Sequence, residues 1–175
     1  SSFWFEPSAA SVVVLFDRSG SMRLSNKIEI AQNATSQLLG WLDAGVDQVS
    51  LLGFDRDVSR LAPFVAVPGR VMEDLAHVEA FGTTALLDAM PVAAREITER
   101  RTRRAVVVLT DGLDTASRWT PTEVSRFAAG IDVPVYVLIA APAVDRDRVV
   151  AQSAMLTDLA RRTGGEAFIL TTPAD

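Results

Sequence analysis

The sequence predicts a three-layer α/β domain, in which helices cover both faces of a mixed, doubly wound sheet of six strands. Two continuous apolar runs, residues 11–17 and 105–111, are rich in valine, which is typical of strands buried on both faces of a parallel sheet. Other segments carry apolar residues at three- and four-residue spacing, as in helices with one buried face. No repeat or low-complexity segment interrupts the 175 residues. We therefore expect one domain, 1–175, excised from a longer chain.

Signals at the ends of the predicted elements support these assignments. Ser25 or Asn26 is the expected N-cap of the first helix, and Pro91 is expected to kink the third. Thr120 and Glu123 predict a capping box. The turn after the second strand is short enough to make the third an antiparallel edge strand. The predicted strands are 11–17, 49–54, 58–64, 105–111, 133–140 and 166–171, and the predicted helices are 27–42, 68–77, 85–99, 121–129 and 153–162.

Two predicted strands end in aspartate, and their order decides whether these side chains meet. Strands two and three lie to one side of the first strand and the later strands return on its other side, which gives the order 3-2-1-4-5-6. Asp17 and Asp111 then lie side by side at the carboxyl edge, where open α/β sheets bind ligands. Ser19 and Ser21 follow Asp17 in a tight loop, and Thr84 precedes a helix at the same edge. The order therefore predicts a polar site.

Carboxylate and hydroxyl oxygens are hard ligands for metal ions. They suit Mg²⁺, our first choice, or Mn²⁺ or Ca²⁺, whereas zinc favours the Cys and His ligands that this chain, with no cysteine and one histidine, scarcely provides. Because this ligand set carries few formal negative charges, a bound divalent cation keeps net positive character and an exchangeable water ligand. We therefore expect the partner to be a protein or other ligand that presents a carboxylate.

Three segments around these residues resemble the metal-ion-dependent adhesion site of von Willebrand factor type A domains, most closely those of bacterial proteins. They are F-D-R-S-G-S-M at 16–22, G-T-T-A-L at 82–86 and L-T-D-G at 109–112, and the first is the most specific. Matches at 54–55 and 159–165 extend the resemblance over nearly the whole chain. Many such bacterial proteins are exported, so the resemblance implies an extracellular or periplasmic location.

The resemblance also implies a role for each site residue. Asp17, Ser19 and Ser21 correspond to the D-x-S-x-S metal ligands. Thr84 and Asp111 correspond to the threonine and aspartate that contact the metal directly or through water. Thr83 stands where the family more commonly has a second glycine. The implied function is metal-dependent binding without catalysis.

Two alternatives to this function stay open. In the first, a neighbouring segment of the full-length chain fills the site, and the domain is a structural or regulatory module of a larger assembly. The second, and weaker, is Mg²⁺-dependent phosphoryl transfer with Asp17 as the nucleophile. Phosphatases of the haloacid dehalogenase type need a second aspartate two residues later, where this chain has Ser19. Dinucleotide and phosphate-binding loop motifs are absent, and the lone His77 forms no Ser-His-Asp pattern.

The remaining features favour ordinary structural roles. The net charge of −5 argues against nucleic-acid binding, and the longest apolar runs are too short to span a membrane. Asp114 and Trp119 follow the site and could line its rim, although a turn acid and a helix-flanking aromatic are the preferred interpretation. A basic cluster is expected to complement a helix dipole and to stay solvated; it comprises Arg100, Arg101, Arg103 and Arg104.

Overall fold

Six strands form one mixed sheet in the computed structural model, which describes residues 9–66, 68–130, 132–142, 149–150 and 153–171. Their spatial order is β3-β2-β1-β4-β5-β6. All neighbouring strands are parallel except β2 and β3, which are antiparallel. The predicted order is therefore confirmed. The strands are β1 (Ala10–Asp17), β2 (Gln48–Phe54), β3 (Val58–Val65), β4 (Arg103–Thr110), β5 (Val135–Ala140) and β6 (Ala167–Leu170).

Helices cover both faces of the sheet, and the side chains of β1 are buried in an apolar core on each face. Val13 and Leu15 belong to the apolar core on one face, whereas Val12, Val14 and Phe16 belong to the core on the other. Burial on both faces follows from the alternation of side chains along a strand, and it explains the continuous apolar run in the sequence. The α-helices of the described residues are α1 (Lys27–Gly40), α2 (Pro68–Ala76), α3 (Leu86–Thr98), α4 (Pro121–Gly130) and α5 (Ala154–Arg162).

Some local expectations were wrong. A 3₁₀ helix, Gly20–Asn26, fills the predicted loop after β1 and contains a kink at Leu24 and Ser25. Asn26 precedes α1 with a φ of 58° and makes no side-chain cap bond, because it lacks the extended backbone of an ordinary N-cap. Helix α3 continues through the buried Pro91 without interruption.

Residues 1–8 and 172–175, at the two ends of the chain, lie outside the described residues. None of the helices within the described ranges has the length and apolar character needed to cross a membrane.

The predicted capping box at the start of α4 is confirmed. The N–H of Thr120 donates to Oε2 of Glu123 at 2.8 Å, and the N–H of Glu123 donates to Oγ1 of Thr120 at 3.3 Å. We expect Thr120→Ala to lower the Tm by roughly 2–4 °C, because it removes the cap of an exposed helix end. Thermal unfolding followed by circular dichroism measures the effect. Thr122→Ala is the matched control, because Thr122 is exposed two residues later in the first turn of α4. It should leave the Tm nearly unchanged.

Candidate metal centre

Asp17 ends β1 with a side chain that has no solvent exposure. Its Oδ1 accepts a hydrogen bond from the backbone N–H of Ser19 at 2.8 Å, and its Oδ2 accepts one from Oγ1 of Thr110 at 2.6 Å. The second bond joins β1 to β4, because the parallel register pairs Phe16 with Leu109 and brings the ends of the two strands together. The loop after β1 therefore fixes one oxygen of this carboxylate, and the neighbouring strand β4 fixes the other.

The surroundings of Asp17 disfavour its negative charge. Burial raises the pKa of Asp17 from 3.8 to about 6, because the ionised carboxylate loses its hydration. Hydrogen bonds from Thr110 and Ser19 lower this pKa, whereas the negative charge of Asp111 raises it. A cation between the two carboxylates would relieve both the lost hydration and the repulsion.

The loop after β1 holds two hydroxyl groups close together. Oγ of Ser19 lies 3.1 Å from Oγ of Ser21, and Ser19 is fully buried. Between them, the N–H of Gly20 donates to the carbonyl of Gly82 at 3.0 Å, and a Cβ on Gly20 would lie only 3.2 Å from that carbonyl oxygen. The D-x-S-x-S loop and the loop at 81–84 thus contact each other through their backbones.

Thr84 is fixed on the opposite side by the loop that follows β4. Its N–H donates to Oγ1 of Thr115 at 3.0 Å, and its carbonyl accepts bonds from the N–H groups of Thr115 and Ala116, both at 2.9 Å. Thr84 is only 2 % exposed, whereas Thr83 is exposed. This difference in burial favours Thr84 over Thr83 as the residue that faces the site.

Asp111 follows directly after β4, which ends one residue earlier than predicted. Its Oδ2 lies 2.9 Å from Nζ of Lys27, the first residue of α1, and its Oδ1 accepts a bond from the N–H of Leu113 at 3.3 Å. The side chain of Asp111 is 1 % exposed and that of Lys27 is 15 % exposed. This is a partly buried ion pair at the edge of the site.

The donor chemistry fits a hard divalent cation. Three loops at one edge of the sheet carry two carboxylates and three hydroxyls, the oxygen set that Mg²⁺, Mn²⁺ and Ca²⁺ accept. Across the described residues, no group of three or more His, Cys, Asp or Glu side chains is placed to hold a metal ion. A cation here would therefore depend on hydroxyl oxygens and water as well as carboxylates. The contributing residues would be Asp17, Ser19, Ser21, Thr84 and Asp111.

Sequence reasoning missed two residues at this site, Thr110 and Lys27. Thr110 has a visible signal, since it is a polar residue at the end of a buried apolar run beside the strand of Asp17. Its hydroxyl donates to Asp17 and accepts a bond from the N–H of Gly112 at 3.1 Å. Lys27 has no such signal, because it lies 84 residues from Asp111 and reads as an ordinary first residue of a helix.

The proposed rim residues make structural contacts. Asp114 is half-buried, and its Oδ2 accepts bonds from the N–H of Leu87 at 2.9 Å and from Oγ of Ser117 at 2.7 Å. It therefore caps the start of α3. Trp119, which is also half-buried, packs edge-to-face on Phe127 with ring centroids 5.6 Å apart. The preferred structural interpretation of both residues agrees with these contacts.

Two arginines of the cluster, Arg100 and Arg104, are less solvated than expected, whereas Arg101 and Arg103 are exposed. Arg100 is half-buried, its guanidinium lies 4.5 Å from the centre of the Phe64 ring, and it bonds to Gln48. Arg104 donates to the carbonyl of Thr98 at 3.1 Å, the contact expected of a cation at the C-terminus of α3. These residues therefore support the end of α3.

His77 is exposed and lies directly after α2. Its Nδ1 is 2.7 Å from the carbonyl of Glu73, one helical turn earlier. The contact is a local helix-end interaction and gives His77 no partner in the candidate metal centre.

Comparison with known proteins agrees with the fold. The family model of the von Willebrand factor type A domain matches residues 12–113. No curated protein matches the chain significantly. BatB, a conserved hypothetical protein from Bacteroides thetaiotaomicron, superposes with a TM-score of 0.75 at 23 % identity, over 94 % of this chain and 91 % of that chain.

Two further solved structures show the same fold at lower identity. The von Willebrand factor type A protein from Catenulispora acidiphila gives a TM-score of 0.75 at 19 % identity, over 95 % of this chain and 39 % of that chain. The vWF domain of the type V pili tip protein Mfa5 from Porphyromonas gingivalis gives 0.70 at 11 % identity, over 94 % and 90 %. Since the family model also matches more than half of the chain, including every predicted site residue, the chain belongs to the von Willebrand factor type A domain family.

Proposed function

We propose that this domain is a protein-interaction module that binds a carboxylate of its partner through a divalent cation, with Mg²⁺ as the preferred ion. The observation that supports the proposal is the meeting of Asp17 and Asp111 with three hydroxyl-bearing residues at one sheet edge. When bound, the cation supplies a positive centre with an exchangeable position for the partner's oxygen.

Each residue has a distinct part in this proposal. Asp17 provides the buried negative charge, and Thr110 and the Ser19 N–H fix the orientation of its carboxylate. The hydroxyls of Ser19 and Ser21 add neutral oxygens, which bring no further negative charge to the cation. Asp111 and Thr84 complete the donor set from the other two loops. The extracellular or periplasmic location implied by the resemblance belongs to the same proposal.

The burial and hydrogen bonds of Asp17 disfavour the phosphoryl-transfer alternative. A nucleophilic carboxylate needs a free oxygen that can reach its substrate. Asp17 has no solvent exposure, and both of its oxygens accept hydrogen bonds. Ser19 occupies the position where the general acid and base of a phosphatase would stand.

Titration with Mn²⁺ and Mg²⁺ tests the proposal, with Thr84→Ala and Thr83→Ala as a matched pair. We expect saturable calorimetric binding to the wild type and an affinity reduced about tenfold or more by Thr84→Ala, a loss typical of a changed metal shell. Thr83→Ala should retain the wild-type affinity, because Thr83 is exposed.

Acetate then probes the open position on the protein-bound Mn²⁺. Displacement of a coordinated water by acetate should lower the water-proton relaxation that Mn²⁺ causes, in a saturable manner. A folded wild-type protein that binds neither Mn²⁺ nor Mg²⁺ would contradict the proposal. Metal binding without any response to acetate would contradict the proposal that the partner binds through a carboxylate. It would favour the alternative in which a neighbouring segment of the full-length chain fills the site.

A further inference from the structure

Lys27 places a positive charge at the edge of the candidate metal centre. Its Nζ lies 2.9 Å from Oδ2 of Asp111, and both side chains are largely buried. The backbone just before Lys27 is unusual, because Ser25 and Asn26, at the end of the 3₁₀ helix, carry positive φ angles of 55° and 58°. Non-glycine residues rarely adopt this conformation, and two in succession make a sharp change of direction before the helix.

The ammonium group and a divalent cation need the same carboxylate. A metal ion bound to Asp111 would lie close to Lys27, and like charges at such a distance in a partly buried site repel strongly. Without metal, in contrast, Lys27 neutralises a carboxylate that is 1 % exposed. Removal of the lysine would leave that buried charge unpaired, which destabilises the metal-free protein. Both effects make the lysine favour the metal-free state.

We propose that Lys27 is an internal competing cation that neutralises Asp111 in the metal-free site and thereby weakens the affinity for Mg²⁺. The inference rests on the proposed function, because it assigns a regulator to the same site. Metal binding then requires the ammonium group to leave Oδ2 of Asp111. The affinity of the site is consequently set by a residue of α1 that is itself no metal ligand.

Magnesium titration by calorimetry of Lys27→Met and Lys27→Gln tests this role. We expect the Kd for Mg²⁺ to fall by at least about tenfold in both variants, because the competing charge is lost. Lys27→Gln removes the charge but retains a polar side chain with a hydrogen-bond donor, so it provides a second variant if Lys27→Met does not fold. Lys27→Arg keeps the charge and should keep the affinity within about threefold of the wild type, by the distance dependence of Coulomb interactions.

Arg23→Met is the control for a change in net charge, since Arg23 is exposed on the 3₁₀ helix that precedes α1. Its effect on the Kd should be small, because solvent and salt screen an exposed charge. The second measurement is the Tm of Lys27→Met in EDTA and in saturating Mg²⁺. We expect a Tm below that of the wild type in EDTA, and a larger rise on addition of Mg²⁺.

Unchanged or weaker Mg²⁺ binding by both Lys27→Met and Lys27→Gln would overturn the proposal, and weaker binding would mean that Lys27 only positions Asp111. If the wild type binds Mg²⁺ and these variants bind no more tightly, the metal centre stands and only the role of Lys27 fails. If neither the folded wild type nor any variant binds Mg²⁺, the proposed function fails together with this inference.

Discussion

Replacement of Asp17 by asparagine is expected to abolish divalent-cation binding and, at neutral pH, to make the metal-free protein more stable than the wild type. Asparagine keeps the shape of the side chain and an oxygen for the N–H of Ser19, but it lacks the negative charge that a cation requires. It also removes a charge whose burial is unfavourable, as the pKa of about 6 for Asp17 indicates. Loss of binding and gain of stability should therefore occur together.

The stability effect depends on pH in a defined direction. The pKa of Asp17 is about 6 in the folded protein and 3.8 for an ordinary aspartate, so the folded state holds the proton more tightly. Below about pH 4 Asp17 is protonated in both the folded and the unfolded state, so its ionisation does not lower the free energy of unfolding. As pH rises from about 4 to 6 the unfolded state ionises first, and the free energy of unfolding falls by about 3 kcal/mol. Above about pH 6 Asp17 is ionised in both states, and the free energy of unfolding falls no further from this cause.

Urea denaturation in EDTA at pH 4, 5, 6 and 7.5 measures this difference. The stability advantage of Asp17→Asn should be near zero at pH 4 and should approach about 1–3 kcal/mol at pH 7.5. The exposed Asp57→Asn serves as the control for a lost carboxylate and should show little pH-dependent advantage. An Asp17→Asn protein that still binds Mg²⁺ with wild-type affinity would rule out Asp17 as a ligand. An advantage that grows toward low pH would contradict the raised pKa.

Replacement of Gly165 by alanine is expected to be the most damaging change of a single methyl group. A Cβ at this position would lie 2.0 Å from the carbonyl oxygen of Val135 and 2.6 Å from its carbonyl carbon. Both atoms belong to the backbone of β5, which hydrogen bonds hold on both sides, so the neighbour cannot move aside as a flexible side chain would. We expect a loss of more than about 4 kcal/mol in the free energy of unfolding.

Urea denaturation of Gly165→Ala beside Gly40→Ala measures the effect of the clash. Gly40 is the last residue of α1, and a Cβ there would meet nothing within 4 Å. Gly40→Ala should be neutral or slightly stabilising, because alanine loses less backbone entropy than glycine on folding. If Gly165→Ala lowers stability by no more than about 1 kcal/mol, the backbones of β5 and the segment before β6 do not approach as closely as described.

Periodicity predicted the elements of this fold better than it predicted their ends. The continuous apolar runs of β1 and β4 identify strands buried on both faces, since such a run leaves no polar face for solvent. The end of β4 was misplaced by one residue, because Thr110 and Asp111 are both polar and only the folded sheet shows which of them still pairs. The cap at Asn26 was wrong for a similar reason, because its left-handed backbone depends on how the 3₁₀ helix meets α1.

The sequence alone determined the fold class, the strand order and the five candidate ligands, because each rests on residues that lie close together in the chain or on general rules of chain connection. Only the tertiary structure decided which other side chains contact these candidate ligands. Thr110 reaches Asp17 across 93 residues and Lys27 reaches Asp111 across 84, and no local pattern reports such distances. Charge and burial at the candidate metal centre depend on these distant contacts, since electrostatic energies change with position and local polarity rather than with residue type.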